Sequence, residues 1–290
     1  MGNLEKKDKN ILKGILGSCE YNGDSKVHVR YSNSETSRIY TKEPNIQNLK
    51  KRKNVRNIFV PESGYCFVGG DFSQIQIRII SHLAVRKGFD SGFYEHLKKG
   101  DDIHDITAKE LGISRKDAKT FNFACCFGAT SYGINKQFNS REFLDKHRSY
   151  SRFLRAWHNK YPEVFRLKSL YFDFQEENGY VSDFSGAKRF FDKRKILNQW
   201  VPFNSVIQMT ESSIVKVAIV KFYKKMKELG IDCYLSIFVH DEIIFSVEEQ
   251  HKEKAALILK DTMESAVSLK VPLRAVVAHG YNWYEIGSKC

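Results

Sequence analysis

Two aspartates in this sequence each interrupt an apolar run at a point where a strand should end. Asp71 lies near the end of "GYCFVGGDF" (Gly64–Phe72), and Asp241 lies within "SIFVHDEIIFSV" (Ser236–Val247). In the second run, alternation on both sides predicts two strands with "HDE" at the turn between them. Carboxylates in such runs are costly to bury without compensation. If the two strands are neighbours, the acids converge at one sheet edge. Their mutual repulsion is then best relieved by divalent cations. Hard oxygen donors suit Mg²⁺, and a pair of such ions supports in-line attack on a phosphate. Taken singly, either acid reads more readily as an ordinary turn residue.

A second constellation follows Ser114, a candidate N-cap: Arg115, Lys119, Phe123 and Phe127 recur at a spacing of four. Each step turns about 400° along a helix, so the four stay on one face. Two cations near a helix N-terminus, followed by two rings, suit a nucleoside triphosphate. The cations and the helix dipole would hold phosphates, and the rings would pack on sugar and base. On the spacing alone, an amphipathic helix with a solvated basic first turn is the readier account.

The elements that must position these residues form an α+β mixture, one small antiparallel sheet with many helices. "KVHVRY" alternates as a strand, and "SQIQIRIISHLAV" reads as an amphipathic helix directly after Asp71 and Phe72. "DIHDITAKELGI" and "SRKDAKTFNFACCFGATSYGI" read as helices, and a long helical region runs on to about Glu177. "GYVSDFSGAKRFF" reads as a hairpin. "NSVIQMTESSIVKVAIVKFYKKMKELG" reads as a long helix stopped at Gly230, followed by a helix over about 250–267 and a closing strand, "VPLRAVVAHG".

Composition narrows the class. The chain has 290 residues, 42% hydrophobic and 13% aromatic, enough for one large domain or two modest ones. No apolar run approaches the ~20 residues of a membrane span. The charged start "MGNLEKKDKN" lacks a signal core, and Lys6 stands where myristoylation needs Ser or Thr. We therefore expect a cytoplasmic protein with no membrane partner. Six cysteines lack metal-ligand spacing and read as reduced thiols. The formal net charge of +13 points to a polyanion. Basic residues cluster at Lys42–Arg56 and at Gly186–Lys195, the second with Phe190 and Phe191 among them. One such cluster alone would be a solvated face; two on a basic chain favour nucleic acid.

Taken together, these segments resemble DNA polymerase family A, the bacterial polymerase I type. "DFSQIQIRIISHLA" is similar to the first family motif, D-Y-S-Q-I-E-L-R with its hydrophobic helix. "RKDAKTFNFACCFGATSYG" is similar to the R-x-x-x-K-x-x-x-F-x-x-x-Y-G helix, with Phe127 in place of tyrosine. "FVHDEIIF" matches V-H-D-E. "ETSRIYTKEPNIQN", "DIHDITA", "NSVIQMTESSIVKVAIVK" and "VPLRAVVAHGYNW" align with four further segments in order, covering the chain from about Val27 onward. The resemblance implies a right-hand polymerase fold with a small antiparallel palm sheet and helical fingers. Residues 1–26 would be an N-terminal extension, 27–100 the first part of the palm and 101–178 the fingers, with their motif helix at 114–128. Residues 179–290 would complete the palm, with the V-H-D-E hairpin at 236–247.

The resemblance also implies roles. Asp71 and Asp241 would hold two Mg²⁺ ions, for which Mn²⁺ can substitute. Lys119 and Glu242 complete the catalytic set, Glu242 in a supporting part. Arg115, Lys119 and His104 would grip the phosphates of an incoming deoxynucleoside triphosphate. Phe123, Phe127, Gln74 and Gln76 would lie around its sugar and base. Arg38, Gln208 and His240 would read the minor-groove edge of the primer terminus, where all correct pairs offer similar acceptors. Asn45, Gln47, Asn204 and Gly128 would complete the primer–template contacts, and Arg56 would meet a phosphate. The implied activity is template-directed extension of a DNA primer.

Three departures stand out. Gln76 replaces the family's glutamate, and Phe127 replaces the tyrosine whose hydroxyl that glutamate accepts, so both partners have changed together. Gln76, nearly isosteric with glutamate, should still exclude a 2′-hydroxyl. Phe123, where some relatives carry tyrosine, predicts poor use of dideoxynucleotides. Met209 and Glu211 replace small residues, and nothing in the sequence accounts for them. Finally, too few residues precede Val27 for a thumb or a proofreading exonuclease. That predicts a separate thumb or exonuclease chain or a processivity factor, as in a split or compact replication system of phage type, with the host cytoplasm as its location. The alternative is a non-catalytic polymerase fragment that only binds primer–template. A single-subunit RNA polymerase would instead require a small residue at Gln76.

Overall fold

The apolar runs around Asp71 and Asp241 are neighbouring strands of one antiparallel sheet. The computed structural model describes residues 5–22, 25–130, 133–134, 150–192 and 198–289. The chain opens with α1 (Lys6–Asn22), the β1–β2 ribbon (Arg30–Asn33 and Ile39–Lys42) and the single turn α2 (Lys53–Arg56). Strand β3 (Tyr65–Phe72) leads into α3 (Ile75–Arg86), α4 (Gly92–Lys99), α5 (Ile103–Leu111) and α6 (Arg115–Cys126). Helices α7 (Tyr150–Lys160) and α8 (Glu163–Asn178) precede a short hairpin, β4 (Tyr180–Ser182) and β5 (Lys188–Phe190). The remainder is α9 (Trp200–Glu228), β6 (Cys233–Val239), β7 (Glu242–Glu248), α10 (Lys252–Glu264), β8 (Ala275–Gly280) and α11 (Trp283–Lys289). This is the expected α+β mixture. Residues 135–149 of the anticipated long helical region, and Lys193–Lys195 of the second basic cluster, lie outside the described residues.

The chain divides into two compact units: Met1–Ile75, Gln208–Ser268 and Leu273–Cys290 in the first, and Gln76–Ile207 with Leu269–Pro272 in the second.

The first unit is built on the four-stranded sheet, in the order β6-β7-β3-β8. Strand β3 is almost wholly buried, which is why it reads as a continuous apolar run and not as an alternating one. Gly69 and Gly70 belong to this burial. A Cβ at Gly69 would come 2.6 Å from Ile286 of α11 and 2.8 Å from Ile244 of β7, and one at Gly70 would come 2.5 Å from Met263 of α10. The bare backbone thus lets two helices close on the strand just before Asp71. Between Leu235 and Ile237 the β6–β7 ladder slips by one residue, so Ser236 is a bulge. The Ser236 hydroxyl accepts the Ser246 N–H at 3.2 Å, which keeps that group satisfied.

The N-terminal segment, anticipated as an extension, is helical. Leu12 and Ile15 of α1 are buried in one cluster with Val55, Phe67, Ile244, Trp283 and Ile286. "KVHVRY" contributes only its last residues to a ladder, as Arg30 and Tyr31 pair with Lys42 and Thr41.

The second unit is mainly helical. The Ser114 hydroxyl caps α6 by accepting the Asp117 N–H at 3.1 Å, as anticipated. Phe93 stacks on Tyr161 at 4.1 Å, beside Trp157. Asn122 links the helices, accepting Trp157 Nε1–H at 2.8 Å and donating to His104 Nδ1 at 3.1 Å. Cys125 and Cys126 are buried, and burial pushes both thiols well above their ordinary range, so they are inert at neutral pH.

Candidate active site

In the first unit, register does what the sequence left conditional. Asp71 on β3 stands directly opposite Glu242 on β7, and Asp241 precedes Glu242 at the β6–β7 turn. The turn is shorter than "HDE": only His240 and Asp241 lie between the strands, and Glu242 is already a β7 residue. His240 adopts a left-handed φ of 58° and is exposed at the tip. Partial desolvation and the nearby Arg38 charge push its imidazole below the ordinary histidine value, against the opposing pull of Glu242.

The three acids face different surroundings. The Asp71 side chain is 22% exposed, whereas that of Glu242 is only 2% exposed. Glu242 is held from behind. Arg56 Nη1 donates to its two oxygens at 3.1 and 3.3 Å, and Trp283 Nε1–H donates to Oε1 at 3.1 Å. The Arg56 guanidinium in turn lies 4.0 Å from the centroid of the Trp283 ring. This corrects the expectation for Arg56. With its side chain 3% exposed and bonded to Glu242, it braces the hairpin and does not reach a phosphate.

Lys51, which sequence reasoning passed over as one of a basic run, has its Nζ 3.8 Å from Asp71 Oδ2 and 3.9 Å from Glu242 Oε2. The acidic edge therefore draws a cation from the protein itself. Among the described residues, no group of three or more His, Cys, Asp or Glu side chains is placed to hold a metal. Two carboxylates alone fit Mg²⁺, which commonly takes one or two protein oxygens and completes its shell with water and substrate phosphate.

Of the residues expected to contact primer and template, Gln47 and Arg38 lie against the same hairpin. Gln47 Nε2 donates to the carbonyls of Ile39 and Phe238 at 3.1 and 3.0 Å. Its donors are thus used within the protein, and its carbonyl oxygen is what remains for a DNA contact. Asn45 accepts from the Thr41 hydroxyl at 3.4 Å. Gln208 is half-buried on α9, and Gln74 has a left-handed φ of 54° immediately before α3. Arg38 forms a charged pair with Glu211, a partner that nothing in the sequence announced.

In the second unit, α6 carries Arg115, Lys119 and Phe123 as the spacing requires, and Phe127 caps its C-terminus. Arg115 and Lys119 are exposed, and the Phe123 and Phe127 rings are nearly parallel, 6.2 Å apart and inclined by 12°. Lys119 Nζ lies 5.8 Å from the Phe123 ring, and the His104 ring packs on Phe123 at 5.6 Å. Arg115 is oriented by Asp102, the N-cap of α5, through a 2.6 Å hydrogen bond. Burial would raise the Asp102 carboxyl, but Arg115 and the backbone N–H groups of Asp105 and His104 outweigh it and hold the group below its ordinary value. Gly128 follows Phe127 with φ 83°, and a Cβ there would strike Trp200 at 2.3 Å. Asn204 donates to the Phe127 carbonyl at 3.4 Å, fixing the end of the helix. Gln76 lies in the first turn of α3 and is half-buried.

His104 is 1% exposed, and burial pushes its imidazole down to about 4, with Lys119 and Arg115 adding to the effect and Asp102 opposing it. It is therefore neutral at pH 7. Because Nδ1 accepts from Asn122, Nε2 carries the proton, and Nε2 has no acceptor among the described residues. The unfolded chain binds this proton near pH 6.5 and the folded chain only near 4. The His104 contribution to stability is thus complete above about pH 6.5 and is lost as the pH falls toward 4, with a slope of up to about 1.4 kcal/mol per pH unit. Urea denaturation across this range should show that slope, and His104→Gln should flatten it.

Comparison with known proteins agrees with this geometry. The sequence profile of DNA polymerase family A matches residues 3–285. The chain is 31% identical over 282 residues to DNA polymerase I of Caldicellulosiruptor bescii, covering 90% of this chain and 32% of that protein. It is 29% identical over 280 residues to the thermostable DNA polymerase I of Thermus filiformis, with the same coverage of 90% and 32%. The chain thus spans about a third of the length of these curated relatives. Among solved structures, the polymerase domain of Pol1 from M. smegmatis, in complex with DNA primer–template and dNTP, superposes with a TM-score of 0.82. It shares 23% identity, and the match covers 97% of this chain and 52% of that one. The fold is therefore that of a polymerase domain, and the profile match includes α1, which the resemblance read from the sequence did not reach. With the profile running over nearly its whole length, the chain belongs to DNA polymerase family A.

Proposed function

We propose that this chain carries out template-directed extension of a DNA primer, transferring deoxynucleoside monophosphates from their triphosphates to the primer 3′ end. The observation that carries the reading is the β3–β7 register, which sets Asp71 opposite Glu242, next to the His240–Asp241 turn. Asp71 and Asp241 are the residues that would hold two Mg²⁺ ions, or Mn²⁺ in their place. Such ions favour ionisation of the primer 3′-hydroxyl and neutralise charge on the triphosphate and departing pyrophosphate. Glu242, turned inward onto Arg56 and Trp283, acts as a positioning residue for the turn. The Lys51 ammonium occupies this edge only until stronger counter-charge arrives.

The α6 face binds the incoming nucleotide. Arg115, already aimed by Asp102, and Lys119 hold phosphate oxygens by charge-assisted hydrogen bonds. The unshared Nε2–H of His104 supplies a neutral donor to the same phosphates. Phe123 packs on the sugar, and Phe127 with Gly128 lies where the template base enters. Arg38, Gln208 and His240 meet the minor-groove edge of the primer terminus, while Asn45, Gln47 and Asn204 contact primer and template. Gln74 and Gln76 line the sugar, Gln76 below its 2′ position.

Primer extension tests the reading. The chain should extend a labelled primer on a template with Mg²⁺ and stop when EDTA removes the metal. Primer–template binding with no extension under any metal or nucleotide condition would instead identify a non-catalytic binding fragment. In the same assay, kcat/KM for dATP should exceed that for ATP by at least about tenfold, about 1.4 kcal/mol of discrimination. Equal values would remove Gln76 as the 2′ gate.

A further inference from the structure

We infer that Glu211 is a positioning residue for Arg38 and, through it, sets how strictly the protein tests the geometry of the primer's terminal base pair. The inference rests on the polymerase reading above and adds a part for a residue at a position where the family carries a small one.

The backbone around Arg38 is pinned from several sides. Gln208, Glu211 and Ser212 share one face of α9, at i, i+3 and i+4. The Ser212 hydroxyl and the Lys216 ammonium both donate to the Ser37 carbonyl, at 2.7 and 2.6 Å. Ser37 itself has a left-handed φ of 58°, a conformation that a serine holds only when its surroundings impose it. The turn is closed by the Arg38 N–H to the Ser34 hydroxyl at 3.2 Å and by the Ser34 N–H to the Arg38 carbonyl at 2.9 Å. Gln47 then ties the next residue, Ile39, to the β6–β7 hairpin.

With its backbone fixed, the Arg38 side chain is fixed by Glu211. The Glu211 side chain is 4% exposed and that of Arg38 is 27% exposed, so the charged pair lies at the edge of the interior. One terminal nitrogen of the guanidinium donates to the Glu211 carboxylate, while Nε–H has no acceptor among the described residues. A planar fork held at one end presents its remaining donors in a single direction. It also lies close enough to His240 for its charge to lower that imidazole's affinity for protons. An Arg38 without this anchor would be a long flexible cation, attracted to any backbone phosphate whatever the shape of the pair. Held by Glu211, it donates only where a correctly shaped terminal pair places an acceptor.

The experiment is a double-mutant cycle on the full chain: wild type, Glu211→Ala, Arg38→Ala and the double variant. Each is assayed for extension of matched and singly mismatched primer termini. Glu211→Ala should lower the matched-to-mismatched ratio of kcat/KM about tenfold, with KM for the nucleotide unchanged. The double variant should be no less discriminating than Arg38→Ala alone. Glu211→Gln, which keeps the size and a neutral acceptor, should act in the same direction more weakly; it replaces Glu211→Ala if that variant does not fold. An unchanged ratio, or losses that add fully in the double variant, would overturn the inference while leaving the polymerase reading intact. A wild-type chain that does not extend a matched primer would overturn both.

Discussion

Asparagine in place of Asp71 or Asp241 is expected to lower primer extension on the order of 10³-fold, about 4 kcal/mol of transition-state stabilisation. Each substitution keeps the side-chain volume and removes only the charge that would hold a divalent ion. Stability should not fall with activity. Asp71 faces Glu242 across the ladder, and like charges so placed destabilise a sheet. Lys51 relieves only part of that repulsion, from 3.8 Å and on a half-exposed side chain. Removing one charge should therefore leave the unfolding free energy unchanged or slightly raised. Single-turnover extension and urea denaturation of the same variants measure the two quantities. A loss of activity that tracked a loss of stability would point to damaged folding, not to a missing metal ligand.

The largest effect on stability is expected at Arg56. Its side chain and that of Glu242 are 3% and 2% exposed, and both contact the buried Trp283. Arg56→Ala leaves the Glu242 carboxylate in a low-dielectric site with the Trp283 N–H and, at 3.9 Å, Lys51. Breaking a buried pair from one side typically costs about 3–5 kcal/mol. The stacking on Trp283 at 4.0 Å is lost as well. Arg56→Lys should recover only part of this, because an ammonium cannot repeat the guanidinium's bonds to Glu242 and the Leu49 carbonyl. Arg56→Met combined with Glu242→Gln should be more stable than Arg56→Ala, since no unpaired charge is then left inside. Urea midpoints for the set decide the matter. If Arg56→Ala cost less than about 1 kcal/mol, the pair would be a surface-like contact without structural weight.

How far the sequence disclosed this arrangement depended on the range of the interaction. Asp71 and Asp241 stood out because an acid in an apolar run is locally conspicuous, and the α6 face was legible because its spacing is a property of one helix. The start of α6 followed from Ser114, whose cap is also local, whereas its end falls at Cys126, short of the expected 128. Arg56 and Glu242 are 186 residues apart, and Arg38 and Glu211 are 173 apart. No periodicity joins such pairs, so one arginine was assigned to a phosphate and one glutamate had no account. The N-terminal helix shows the converse failure. The resemblance left residues 1–26 as an N-terminal extension, yet two apolar residues on one face, Leu12 and Ile15, are buried in the core cluster.

The bulge at Ser236 sets how this hairpin can change length. Leu235 pairs with Phe245 and Ile237 with Ile244, so Ser236 is the one residue of β6 between them without a ladder partner of its own. Deleting it would join Leu235 directly to Ile237 and leave both halves of β6 in their present register, on their present faces, with Asp241 still beside Asp71. An inserted residue has no such place to go, because side chains alternate along a strand and one more residue exchanges the inward and outward faces over part of β6. A single-residue deletion at Ser236 should therefore be better tolerated than a single-residue insertion in the same strand.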